Sequence, residues 1–327
     1  SPKWLLRLAG GKPVVLGGRT LDPIFQFLAH GASRQSHMAT LSPEEARAGM
    51  RQVGDMLGPE FEPGVSVTNT NIDINGRSIP ARIYRPNGQD PNVPLMVYYH
   101  MGGGVIGDLD TCHAFCGILA ARVKGPIVSV DYRLAPEHKW PAGLDDAMGA
   151  YFWSLGKAEE LGAPPGRAFI GGDSMGGNFS AIICQELKRK GQPLPDLQVL
   201  IYPALDISAE YPSTETYRDA YPLDQHTMDY FMSHYLPDET DPSDLRLSPM
   251  LETDLSGLPK ALIFTAGFDP LIDQGEEYHK RLKQAGVPSS YKCYDSLAHG
   301  FTAFTGISRT ADDACREMAD VVRSEFT

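Results

Sequence analysis

The sequence predicts an α/β architecture, a mostly parallel central sheet with helices on both faces, and three observations carry that expectation. Strand-like runs alternate with helical runs over most of the length. One pair of early strand-like runs is joined by the turn signal Asn75-Gly76, which marks a single antiparallel hairpin at an edge. The chain of 327 residues, 42% hydrophobic and 21% charged, is long enough for one large α/β domain with an elaboration or for two ordinary domains.

In chain order, VSVTNTNIDI and SIPARIYRP form the hairpin, and the apolar run LMVYYH is the next strand. PIVSVDYR, RAFIGGDS, LQVLIYP, ALIFTAG and SYKCYDS follow as strands. Helical runs such as GGNFSAIICQELKRK and GEEYHKRLKQAG separate the later ones.

Two regions break the alternation. Residues 1–60 read as helix and loop before any strand, and residues 204–248 form an insertion rich in Pro, Tyr and Asp between two strands. A segment inserted after a strand's carboxyl end lies over the ligand crevice. Both are therefore expected to form one cap, over a catalytic domain built from residues 61–203 and 249–327.

Charge and cysteine usage narrow the function classes. A formal charge of -12 argues against nucleic acid as a partner, because such proteins gather Lys and Arg on one face. No apolar stretch approaches the length of a membrane span. Five scattered cysteines, an odd number, fit reduced thiols in a cytoplasmic protein. Cys112 and Cys116 share a helical face, but no second CxxC or His pair completes a metal site around them. The chain opens SPKWLLRLAGG, without a Met and without a signal-peptide pattern.

The loop HMGGGVIGD at 100–108 brings backbone amides close to a negative charge, and two readings compete for it. Gly102, Gly104 and Gly107 satisfy the dinucleotide pattern G-x-G-x-x-G after a strand, with Asp131 ending the next strand. Against it, the following helix starts only near Thr111, and Asp108 and Asp110 would repel a pyrophosphate.

GGDSMGG at 171–177 arbitrates. Gly172-Asp173-Ser174-Met175-Gly176 is G-x-S-x-G between a strand and a helix, the context of a strained turn that exposes a serine Oγ. The bland alternative is a glycine-rich turn whose Ser caps the helix. An activated serine needs a base and an acid to orient it, and on such a fold they follow in the order acid, then His. Asp269 lies just past ALIFTAG and His299 just past the last strand, each at a strand's carboxyl end. Asp206 and Asp273 are competing acids. With Ser174 as nucleophile, the amides of Gly102 and Gly103, together with that of Met175, are expected to form the oxyanion hole.

These residues resemble the hormone-sensitive-lipase-like carboxylesterases, bacterial family IV, which carry HGGG, DYRLAPEH, GDSAGG, then an Asp and a His. Residues 131–138 read DYRLAPEH and are followed by WPAGLDDA, and the shared motifs span residues 95–303. The resemblance implies an α/β-hydrolase fold under a helical cap and hydrolysis of carboxylic esters, small molecules usually of short to medium acyl chain. It implies no cofactor and no metal, and a homodimer through the C-terminal edge strand SYKCYDS. The same triad also cleaves thioesters or reactive amides. A non-catalytic receptor on this fold is the rival reading, disfavoured because such proteins tend to lose the catalytic His.

Two departures stand out. Met101 replaces the first glycine of HGGG, and Gly104 stands where the family has a bulky aromatic. The lost aromatic is expected to enlarge the pocket and the Met101 thioether to refill part of it; a slipped register would move the donors to Gly103 and Gly104. Cap aromatics Trp4, Phe25, Phe27, Tyr221 and Phe231 are candidates either for an acyl pocket or for cap core. His100 and Asp173 are expected to brace the loop and the elbow, and Glu137 and Asp145 to serve as structural pairing groups.

Overall fold

The computed structural model describes residues 12–58 and 60–327, so Trp4 lies outside the described residues. The chain enters with β1 (Val15–Leu16) and β2 (Arg19–Thr20), then α1 (Pro23–Ala32) and α2 (Pro43–Leu57). The sheet hairpin β3 (Val65–Ile74) and β4 (Arg77–Pro86) follows, and then β5 (Leu95–Tyr99), α3 (His113–Val123) and β6 (Ile127–Val130). Next come α4 (Ala142–Lys157), β7 (Ala168–Asp173), α5 (Met175–Arg189) and β8 (Gln198–Ile201). The insertion holds α6 (Pro212–Thr216) and α7 (Gln225–Tyr235), and the chain closes with β9 (Ala261–Phe268), α8 (Ile272–Gln284), β10 (Ser289–Ala298) and α9 (Arg309–Ser324).

All eight predicted strands form one sheet, in the order β10-β9-β8-β7-β5-β6-β4-β3. Six of its pairings decide its character: β5–β6, β5–β7, β7–β8, β8–β9 and β9–β10 are parallel, whereas β4 meets β6 antiparallel. At the Asn75-Gly76 turn both residues have positive φ, 54° and 78°, as a two-residue hairpin of right-handed twist requires. This is an α/β-type sheet carrying helices on both faces and a helical insertion between β8 and β9.

One detail departs from expectation. Residues 1–60 were predicted to hold no strand, yet β1 pairs with β2 across Gly17-Gly18. The cause is a glycine pair at φ 55° and 76°, a turn signal flanked by too few residues to show strand alternation.

Successive β5 side chains alternate between two cores. Leu95, Val97 and Tyr99 join the cluster beneath α4 and α5, while Met96 and Tyr98 join the one with α3 and α9. The chain leaves β5 toward β6 on one side and returns to β7 on the other. That reversal makes the carboxyl ends of β5 and β7 the switch point where ligands of open α/β sheets bind.

The N-terminal segment and the insertion meet above this point, where His37 Nε2 stands 2.7 Å from Asp224 Oδ2 just ahead of α7. Helix α2 is fixed at its start by a reciprocal capping box between Ser42 and Glu45. Among the described residues, no helix is long and apolar enough to cross a membrane.

Candidate active site

Ser174 sits in the one-residue turn between β7 and α5 with φ 55° and ψ -111°, a region costly for a residue with a Cβ. The sequence permits it through the flanking glycines. A Cβ on Gly172 or on Gly176 would overlap the backbone carbonyl of Tyr99, so both must be glycine for β7 and α5 to close on β5. The Ser174 amide donates to Ile201 O at 2.8 Å, and Ser174 O accepts from the Asn178 amide at 3.0 Å. The turn is thus held by its neighbours rather than by solvent.

Around this turn three side chains line up. His299 Nε2 is 2.9 Å from Ser174 Oγ, and His299 Nδ1 is 2.7 Å from Asp269 Oδ2. Asp269 is fully buried just past β9, and its other oxygen accepts from the Leu271 amide at 2.8 Å. His299 follows β10, 7% exposed, with its ring centre 4.8 Å from that of Tyr202. The competing acids are engaged otherwise: Asp206, on the wall of the cavity that Ser174 also lines, accepts from Ser208 and from the Tyr211 hydroxyl at 2.8 Å, and Asp273 accepts from the Ser213 amide at 2.8 Å.

Asp173, the residue before the serine, is fully buried and accepts from the Tyr202 hydroxyl at 3.0 Å and from Thr302 Oγ1 at 2.9 Å. Burial raises its carboxyl above the usual range. Tyr202 thereby joins the elbow to the His299 loop. Nothing in the motif text points to Tyr202, because a single tyrosine after a strand carries no pattern.

A cavity of about 280 Å³ opens onto Ser174. Gly103 and Met175 lie on its wall beside the serine, and Phe231, Tyr235, Met228 and Leu223 close it from the cap. Gly102, Gly103 and Gly104 all have positive φ, at 124°, 62° and 72°. Gly102 O accepts from the amides of both Val105 and Ile106 at 3.0 Å, which turns the loop back on itself. The Met175 amide is at the first turn of α5, where N–H groups have no partner within the helix.

The pocket predictions fare unevenly. Phe231 is on the cavity wall, but Phe25 is fully buried in the opposite core with its ring 5.2 Å from that of Phe304. Phe27 faces solvent, and Tyr221 is half-buried away from the wall. The space over Gly104 is not empty: a Cβ there would stand 2.5 Å from Cε2 of Tyr235. The lost aromatic is therefore replaced in space by a ring from α7, and the expected enlargement does not follow. Met101 points away as well, its Sδ 3.3 Å from where a Cβ on Gly300 would lie.

The cap is tied to the elbow through Asn178, whose side-chain amide donates to Ala204 O at 2.7 Å and to Leu247 O at 2.9 Å, the two ends of the insertion. The pairing groups pair as expected, Glu137 with Arg47 and Asp145 with Arg246, while Asp146, fully buried, holds Arg133. His100 stacks on Tyr132 with ring centres 4.3 Å apart, and its Nδ1 meets Met101 O at 2.7 Å. Cys112 lies 3.3 Å from Ser129 Oγ, and among the described residues no group of three or more His, Cys, Asp or Glu is placed to hold a metal.

Comparison with known proteins agrees with this fold. A family model described as alpha/beta hydrolase fold matches residues 96–303. The chain is 40% identical to the carboxylic ester hydrolase LipN of Mycobacterium tuberculosis, over 98% of this chain and 87% of that protein. It is 33% identical to the ethyl acetate hydrolase of Pseudomonas putida, over 88% of this chain and 92% of that one. Among solved structures, the ester hydrolase EH1AB1 from the metagenome of Lake Arreo, complexed with a derivative of bipyridine phosphonate, superposes with a TM-score of 0.88 at 38% identity, covering 94% of this chain and 99% of its own.

Proposed function

The chain belongs to the carboxylesterases of the alpha/beta hydrolase fold, related to the bacterial hormone-sensitive-lipase-like esterases, and from that premise we propose which residues do the chemistry and on which esters. Ser174 is the nucleophile, His299 the base and Asp269 the residue that orients it. The observation that carries this assignment is the unbroken relay of 2.9 Å and 2.7 Å from Ser174 through His299 to Asp269.

With Asp269 accepting from Nδ1–H, the lone pair on His299 Nε2 faces the Ser174 hydroxyl and accepts its proton. Ser174 Oγ attacks the ester carbonyl carbon, and the carbonyl electrons move onto oxygen. The amides of Gly102, Gly103 and Met175 stabilise that oxyanion, a contribution worth about 3 to 4 kcal/mol per donor. Collapse breaks the bond to the alcohol, which leaves with the proton from His299. Water, deprotonated by His299, then attacks the acyl-enzyme, and the carboxylic acid departs as Ser174 regains its proton.

In this reading, residues 1–60 and 204–248 form the cap over a catalytic domain of residues 61–203 and 249–327. A cavity of about 280 Å³ supports esters of short to medium acyl chain, as does the likeness to an ethyl acetate hydrolase. The outer edge of β10 is the place for a second copy, and the five free thiols favour a reducing, cytoplasmic setting.

Hydrolysis of p-nitrophenyl esters from acetate to decanoate by wild type and Ser174→Ala tests the assignment. Wild type is expected to turn over the shorter esters best, and Ser174→Ala to lose about 10⁶-fold in kcat. Undiminished turnover by Ser174→Ala would remove Ser174 from the mechanism.

A further inference from the structure

A run of glycines at positive φ has no side chains of its own to fix it, so the fixing must come from elsewhere. The cap supplies part of it. The rings of Phe231 and Tyr235 on α7 lie against Gly103 and Gly104, where any Cβ would collide with them. These contacts cover one side of the loop but hold none of its polar groups.

The polar groups are held by Arg47 on α2. Its Nε donates to Val105 O at 2.8 Å, two residues past Gly103. Its Nη2 donates to Ala135 O at 2.7 Å, and the Ala135 amide in turn donates to Gly104 O at 2.8 Å. Both guanidinium ends also meet the Glu137 carboxylate at 2.8 Å, which fixes the plane of the fork. The result is a closed circuit, Arg47 to Val105, along the chain to Gly104, across to Ala135 and back to Arg47.

The anchor itself is firm. Ala46, next to Arg47, is buried in the core, the capping box fixes the start of α2, and one turn on Arg51 Nη1 lies 3.6 Å from Asp108 Oδ2 at the far end of the same loop. The Arg47 side chain is 18% exposed, whereas Glu137 is 55% exposed. A guanidinium this enclosed, with its donors spent on two carbonyls and a carboxylate, is placed to hold backbone rather than to bind solute.

We propose that Arg47 is a positioning residue for the oxyanion hole: docking of the N-terminal helix α2 through its guanidinium sets the Gly102–Gly104 amides toward the reacting carbonyl. The inference rests on the serine-esterase reading above. An oxyanion hole works because its donors are already aimed when charge develops, and a misplacement of about 1 Å costs up to roughly 100-fold in rate. The turn that the loop's own residues make, with Gly102 O accepting from the Val105 and Ile106 amides, is therefore completed by a helix whose Arg47 lies 58 residues before Val105 in the chain.

The test compares Arg47→Ala and Arg47→Lys with Arg316→Ala, whose guanidinium holds Glu62 at 3.0 Å and 3.1 Å and touches no part of the loop. kcat and KM for p-nitrophenyl butyrate are measured per folded molecule, with the folded fraction and Tm from circular dichroism. Arg47→Ala is expected to lose about 10- to 100-fold in kcat with KM within about twofold, and to react with a serine-directed phosphonate more slowly by a similar factor. Added guanidinium should restore part of that loss, and Arg47→Lys should fall between wild type and Arg47→Ala. Arg316→Ala should lower Tm and leave kcat per folded molecule unchanged. Wild-type kcat in folded Arg47→Ala, or a loss matched by Arg316→Ala, overturns the proposal while the esterase reading stands; a wild type that neither turns over nor labels overturns both.

Discussion

The elbow at Ser174 and the glycine loop at Gly102–Gly104 stand side by side at the carboxyl ends of β7 and β5, and they are held by different means. The elbow is built by its immediate surroundings: Gly172 and Gly176 press on Tyr99 O, and hydrogen bonds to Ile201 and Asn178 fix the Ser174 peptide. The Gly102–Gly104 loop makes its own turn through Gly102 O and also takes contacts from distant segments, from the rings of Phe231 and Tyr235 and from the Arg47 guanidinium. One half of the site is held mainly by backbone contacts at the sheet's edge, whereas the other also takes side-chain contacts from α2 and α7.

The contrast can be broken most sharply on the relay side. Asp269→Asn is expected to lower kcat by about 10⁴-fold by fixing the wrong His299 tautomer, while Asp206→Asn changes kcat by no more than a few fold; steady-state kinetics on one ester decides between them. A large loss in Asp206→Asn alone would move the acid.

Gly176→Ala addresses the elbow's packing. Its Cβ would overlap Tyr99 O, so the variant should lose at least about 3 kcal/mol of stability in chemical denaturation. A substitution on the cap side should act otherwise. Tyr235→Leu uncovers Gly104 and is expected to lower kcat about 10-fold while costing roughly 2 kcal/mol or less. Equal effects of Gly176→Ala and Tyr235→Leu on kcat and on stability would erase the distinction between the two halves.

The smallest effect concerns the Arg47–Glu137 pair. Its hydrogen bond to Arg47 holds the Glu137 carboxyl at about 2, below the ordinary 4.5. A group whose value is lowered on folding adds stability that is complete above about 4.5 and disappears as pH falls toward 2. Because Glu137 is half-exposed, its share is below about 1 kcal/mol. The Tm difference between wild type and Glu137→Gln should thus be present near neutral pH and shrink as pH falls through that window. A difference that grows on acidification would contradict the pairing.

The same contrast explains what could be read from the sequence. Strand alternation, the Asn75-Gly76 turn and the glycines around Ser174 act over a few residues, and the elbow was legible from them. The placement of Asp269 and His299 beside Ser174 was legible because parallel strands deliver their following residues to one edge of the sheet. Tyr235 over Gly104 and Arg47 on Val105 O were not, because each is a contact between distant segments that leaves no periodic trace. The same reason makes Phe25 core rather than pocket: an aromatic in a cap helix reads alike whichever side it faces. The hairpin at Gly17-Gly18 escaped through brevity alone.

The most direct test of both halves together is a crystal structure of the enzyme after reaction with a serine-directed phosphonate. The account predicts phosphorus bonded to Ser174 Oγ, with one phosphoryl oxygen within about 3 Å of the amides of Gly102, Gly103 and Met175. A phosphonate on Ser174 whose oxygen is held instead by Gly103 and Gly104, or by no loop amide, would contradict the register assigned to the hole; no bond to Ser174 would contradict the mechanism.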